Sequence, residues 1–280
     1  MIFVNFDKEF FQREYDHLMG RKDRMIEVAQ KKGDKLYNLF ENASNWILLK
    51  IVKKEFDINE LGEYFKIACQ AIAGYYKLME VSGKPLKMVI AEKDVELSHE
   101  ATSYSDVIYI TPGIHLSIIC RNKECLDVLF NLPDEITFRH DKTKITAPSK
   151  NFNILKKIYK NELVSEKEFD DLEKESEKNS SQYKDYYEKL RLPYIQLMRI
   201  ISNNDKVNFN NFLTNALANV SSYYDTLEDN RNKDIEGWLP LHLISLASLA
   251  YDRGFTVDVD NPLLPMFLVK GEVQVSSLRG

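Results

Sequence analysis

Glycine and proline are scarce, ten and eight among 280 residues. Their scarcity disfavours a turn-rich sandwich or barrel and leaves long helices as the simplest way to fold the chain. Cysteine is scarcer still. Cys69, Cys120 and Cys125 follow no zinc-ligand or thioredoxin spacing, and an odd number without a secretory leader reads as reduced thiols of a cytosolic protein. Met1 to Asp7 show neither a basic n-region nor a sustained apolar stretch, so no signal peptide is expected and the location reads as cytoplasmic. No apolar run reaches about eighteen residues, so no segment is expected to span a membrane. An excess of one charge sign is also missing. The formal net charge is −5, with Lys and Arg interspersed among Asp and Glu. That pattern lacks the basic stripe of a nucleic-acid binder.

Hydrophobic residues make up 44% of the chain, enough for a globular core. Their spacing is helical over most of its length. Asp7 is placed to cap a helix running to about Lys32, and Gly33 ends it. A second helix is expected from Asp34 to Phe56. The run Asp57-Ile58-Asn59-Glu60 has capping-box spacing and opens a third, to about Val81, whose Ala68, Ala71, Ala73 and Gly74 permit close packing. Leu86–Ala91 and Val95–Leu97 flank Glu92-Lys93-Asp94 and read as a β-hairpin. Pro112 reads as a helix start, with helices to Arg121 and from Asn122 to Leu132.

Helical spacing resumes from Lys144 to Glu162. Ser165-Glu166-Lys167-Glu168 is a second capping box, followed by a stretch in which only Phe169 and Leu172 are apolar. Further helices are expected from Gln182 to Ser202, kinked at Pro193, and from Asp205 to Leu227. Leu241–Tyr251 is apolar almost all round and therefore expected to be buried on every side. The expected fold is mostly α, a multi-helix bundle or irregular helical array with a minor β-hairpin. Residues 1–280 read as a single helical domain, and the charged connection at 162–181 is where two continuous halves would meet.

No arrangement of residues announces chemistry. There is no phosphate-cradling glycine loop, nucleophile elbow or paired-histidine metal helix. His115, Cys120 and Cys125 are spaced to scatter around a helix. Asp94, Glu96, His99 and Glu100 read as a polar loop beside the hairpin, and His242 as a hydrogen-bonded core histidine. Tyr183, Tyr186, Tyr187, Tyr194, Tyr223 and Tyr224 suit either a core or an interface. One feature suits the steering of a basic partner: the acidic run Glu166, Glu168, Asp170, Asp171, Glu173, Glu175 and Glu177. The chain is therefore not expected to be an enzyme, with no catalytic residue, no metal and no cofactor.

Three stretches carry a family resemblance. Near the end stand Gly237-Trp238-Leu239-Pro240-Leu241, Leu246–Phe255 with its Asp252-Arg253-Gly254, and Pro262-Leu263-Leu264-Pro265. Earlier come Ile67-Ala68-Cys69-Gln70-Ala71 running into Lys84–Leu97, and then His115–Arg121 followed by Leu126–Pro133. Together, and in this order, they resemble the immunity 49 family of bacterial polymorphic-toxin immunity proteins over roughly Leu61 to Pro265. The resemblance implies structural roles for Trp238, Pro240, Asp252, Arg253, Gly254 and Pro265. It also implies a function in interbacterial competition: a cognate toxin domain, encoded by an adjacent gene, is bound and blocked without catalysis. Neither nucleic acid nor membrane is an expected partner. Two rival readings remain open. One is a helical scaffold or regulator binding a peptide or small signal, which a concave apolar groove would favour. The other is an enzyme destroying the toxin's product, which needs convergent polar residues in a pocket.

Overall fold

Helix covers 66% of the chain in the computed structural model, which describes residues 6–99, 103–178, 183–275 and 277–278. Among the described residues the β-structure is one antiparallel hairpin. The fold is therefore mostly α. Glu100 and the expected helix start at Gln182 lie outside the described residues. The chain divides into two compact units, one comprising Lys8–Arg139 and Gly271–Gly280, the other Met1–Asp7 and His140–Lys270.

The first unit contains α1 (Lys8–Met19), α2 (Lys22–Ala29), α3 (Leu36–Lys53), α4 (Ile58–Glu80), β1 (Leu86–Ile90), β2 (Lys93–Leu97), α5 (Val107–Ile119), α6 (Lys123–Phe130) and α7 (Asp134–Thr137). At its centre α3 lies along α4. Asp57 caps α4 as its spacing implies, accepting from the Glu60 amide at 2.7 Å. Glu60 does not complete the reciprocal box, because its carboxylate is taken by Lys50 and Tyr64, each at 2.7 Å. Gly74 serves close approach: a Cβ there would stand 2.8 Å from the Met88 sulfur of β1.

Three expectations are revised by contacts from elsewhere in this unit. The first helix breaks at Gly20, a poor helix former, and the freed Leu18 carbonyl accepts from the buried Trp46 indole at 3.3 Å. The hairpin turn is Ala91-Glu92, both with positive φ, 48° and 64°, in place of Glu92–Asp94. Helix side chains fix it there: Gln70 accepts from the Ala91 amide at 2.9 Å and Gln30 donates to the Ile90 carbonyl at 2.8 Å. Finally, α5 starts at Val107 and carries Pro112 inside it. The proline removes the donor for the Ile108 carbonyl, and Ile108 is exposed, so water can satisfy it.

The second unit contains α8 (Ala147–Tyr159), α9 (Glu166–Lys178), α10 (Lys184–Tyr186), α11 (Leu192–Ser202), α12 (Phe209–Tyr224), α13 (Ile235–Trp238), α14 (Leu241–Asp252) and α15 (Met266–Val269). A π turn, Tyr187–Arg191, joins α10 to α11. It is how the backbone accommodates Pro193, whose ring crowds the preceding turn. Phe169 and Leu172 of α9 are buried, and α9 lies against α8 and α11. Their burial places the charged connection at 162–181 inside this unit, and the division of the chain falls between Arg139 and His140.

α14 forms the core of the second unit. Leu243, Ile244, Leu246, Ala247 and Leu249 are all buried, as an all-round apolar helix requires. Trp238 is fully buried and donates to the Asn232 carbonyl at 3.1 Å. Pro240 and Pro265 lend their carbonyls to the first turns of α14 and α15. At the other end of α14, Gly254 takes the left-handed conformation, φ +76°, that a non-glycine side chain would strain. Arg253 donates to the carbonyls of Ile158, at the end of α8, and Ile201, at the end of α11. Arg253→Lys is expected to cost about 1–3 kcal/mol, because an ammonium cannot span both carbonyls. Leu246→Ala is expected to cost about 2–5 kcal/mol by leaving a cavity. Urea unfolding checks both, and wild-type midpoints would contradict these placements.

Candidate functional site

α9 begins with a complete capping box. Glu168 accepts from the Ser165 amide at 3.1 Å and hydroxyl at 3.0 Å, while Ser165 accepts from the Glu168 amide at 3.4 Å. Phe169 and Leu172 anchor one face, which leaves the acidic residues on the others. Most of their charge is answered within the unit. Arg199 of α11 lies over the Phe169 ring and pairs with Glu166 at 3.2 Å, Asp170 at 2.9 Å and Glu173 at 3.2 Å. These three recur at helical spacing along one stripe. Glu168 reaches Lys157 of α8 at 2.6 Å. Asp171 pairs with Lys167 and Glu175 with Lys178, each at 2.6 Å. Glu177 is exposed and makes no ion pair among the described residues.

The protonation of these groups follows from their partners. Burial works to raise the Glu168 pKa, but Lys157 and Ser165 outweigh it and hold the carboxyl below its usual range. The hydrogen bond from Lys167 lowers Asp171 likewise. Glu168 and Asp171 are thus held ionised at neutral pH, and the outward field of the helix is reduced by the cations paired with it.

The cysteines gather where their spacing implied scattering, because α4 brings Cys69 against them, while the other candidates disperse. Cys120 and Cys125 are buried, and Cys69 of α4 joins them, its sulfur 3.7 Å from that of Cys120. Burial pushes the Cys69 and Cys125 thiols well up, so they stay protonated and poorly nucleophilic. Asp94 and Glu96 stand exposed on β2. His242 meets the Tyr194 ring edge-on at 5.5 Å, and burial, then Arg191, lower its pKa to about 4, so the imidazole is neutral at pH 7. The tyrosines separate into two sets: Tyr194 and Tyr224 are buried, whereas Tyr183 and Tyr186 are exposed. Helical spacing cannot make that separation, because it depends on what lies opposite each ring.

Sequence spacing also missed a tyrosine cluster in the first unit. Tyr37, Tyr75 and Tyr76 donate to the carbonyls of Tyr109, Ser103 and Tyr104 at 3.2, 2.6 and 2.8 Å. They pin the loop before α5 and the first turn of α5, with Tyr37 and Tyr104 stacked 4.1 Å apart. The adjacent pair Tyr75-Tyr76, following the small residues Ala71, Ala73 and Gly74, was the available signal. Two open clefts are lined mostly by polar groups. One, of about 680 Å³, lies in the first unit between the start of α4 and residues 271–277. The other, of about 640 Å³, lies in the second beside Tyr159, Asn204 and Arg253.

The family described as Immunity protein 49 matches residues 55–268 of the chain. No curated protein and no solved structure matches it.

The α9 ion network has a measurable consequence. Arg199→Met keeps an apolar stem over Phe169 and leaves Glu166, Asp170 and Glu173 to repel one another. The expected loss is about 1 kcal/mol in low salt, shrinking as salt screens the repulsion. Urea unfolding at two ionic strengths checks this. A loss independent of salt would mean that packing, not charge, is what Arg199 supplies.

Proposed function

The chain belongs to the immunity protein 49 family, and from that premise we propose that it neutralises a cognate bacterial toxin domain by direct binding and occlusion, without catalysis. The family match over residues 55–268 is the observation that carries this reading. The proposed partner is a toxin domain encoded by an adjacent gene, and neither nucleic acid nor membrane is a partner. The proposed place of action is the cytoplasm.

Binding of this kind needs shape and charge more than chemistry. α9 is the proposed steering surface. Its run Glu166, Glu168, Asp170, Asp171, Glu173, Glu175 and Glu177 would raise the encounter rate with a basic toxin. The ion network decides which residues test this. Glu166, Asp170 and Glu173 hold Arg199, so reversing them disturbs the fold. Asp171, Glu175 and Glu177 lie outside that node. The triple variant Asp171→Lys, Glu175→Lys, Glu177→Lys should slow association about tenfold at low salt, with little change at high salt or in dissociation. Binding kinetics with the purified neighbouring toxin domain measure it. Association at the wild-type rate at every salt concentration would reduce α9 to a solvated face. Absence of binding by the wild-type protein would remove the toxin reading itself.

A further inference from the structure

The second unit carries an aromatic surface that its own packing leaves uncovered. Tyr183 is 66% exposed, Tyr186 40% and Leu227 72%. The Tyr186 ring is held in place. Tyr186 meets Tyr223 edge-on at 5.9 Å, and Tyr223 meets the buried Tyr224 edge-on at 4.9 Å, so the rings run from the surface into the core. The Arg231 guanidinium lies 4.3 Å from the Tyr223 centroid and is held by Asp185 at 2.8 Å. Rings ordered in advance give up little conformational freedom on binding. Tyrosine and arginine are also the residues that most often dominate interface energies.

The charge around the rings selects the partner. The segment 225–236 carries five carboxylates and two cations. Both cations are committed, Arg231 to Asp185 and Lys233 to Asp7. Among the described residues Glu228 and Glu236 have no cation within ion-pair distance. Glu236 is exposed at this surface; desolvation, then the neighbouring Asp234 carboxylate, raise its pKa, and Arg191, beyond ion-pair distance, works against them. The acidic face of α9 leads to this surface. After burial, Glu177 and Glu173 are the largest influences raising the pKa of Tyr187, next to Tyr186. A nucleic acid would be repelled, and a second copy of the chain would set like charges against each other.

We propose that Tyr183, Tyr186, Tyr223 and Leu227, framed by Glu228 and Glu236, form the docking surface for the toxin domain, which presents an arginine or lysine side chain among apolar residues. This inference rests on the toxin-binding reading above and adds the place and chemistry of contact. Arg231 already covers the Tyr223 ring, so the partner's cation lies over the exposed Tyr183 and Tyr186 faces and takes the two acids as counter-charges. α9 brings the partner in, and the tyrosine surface retains it.

The test is binding kinetics of the full chain with the purified neighbouring toxin domain, alongside thermal unfolding and light scattering of the free protein. Tyr183→Ala with Tyr186→Ala should speed dissociation about 10- to 100-fold and lower the unfolding midpoint only slightly, since Tyr183 is exposed and Tyr186 loses one edge-on contact. Tyr183→Phe with Tyr186→Phe should retain most of the affinity, since the ring face is what binds. Glu228→Lys should weaken binding by an amount that falls with salt. If the wild type binds and the alanine pair dissociates at the wild-type rate, docking lies elsewhere and only the toxin reading survives. If the alanine pair alters self-association and not toxin binding, the surface is homotypic and the proposal fails. If the wild type does not bind, the toxin reading falls and takes this surface with it.

Discussion

Three helices of the second unit end at a single guanidinium. α8, α11 and α14 each finish on a left-handed residue, Asn161, Asn204 and Gly254, with φ of 57°, 54° and 76°. Each closes with the paired backbone bonds of a Schellman cap, in which two amides beyond the helix reach back to its last carbonyls. Aligned peptide dipoles leave partial negative charge at such ends. Three of them together would repel one another unless a cation stood between. Arg253 supplies it, donating to the Ile158 and Ile201 carbonyls from the end of α14. Its planar fork suits two acceptors at once. The geometry of α11 follows from this node. Through α11 follow the position of Arg199 and the carboxylates it gathers on α9.

Much of this was legible in sequence, and what was not shares a cause. Asp57 and Ser165 announced their helix starts because capping is local: the partner amide is three residues away. α14 announced its burial because an all-round apolar helix has no other stable place. The break at Gly20, the turn at Ala91 and the early start of α5 were not legible. Each depends on a partner far along the chain or on which side faces water, as with Trp46 and the Leu18 carbonyl, or Gln70 and the Ala91 amide. The candidate site divides in the same way. The acidic run of α9 could be read residue by residue. That Arg199 absorbs three of its charges, and that Tyr183 and Tyr186 face outward while Tyr194 and Tyr224 do not, depends on tertiary packing alone.

These observations suit a protein whose task is to hold. The Cys69 and Cys125 thiols are protonated, His242 is neutral, and the two clefts described are lined mostly by polar groups. Glu228 and Glu236 make no ion pair among the described residues and stand at the proposed aromatic surface, an arrangement suited to a basic partner. Neutralisation by binding consumes one copy of the protein for each toxin, whereas neutralisation by chemistry does not. The central claim is therefore tested most directly by titrating the toxin domain, at concentrations far above the dissociation constant, with this protein and recording residual toxin activity. The account predicts a linear fall that ends at a fixed stoichiometric ratio and does not deepen with time. Complete inactivation by a small fraction of an equivalent, progressing as the mixture stands, would contradict it.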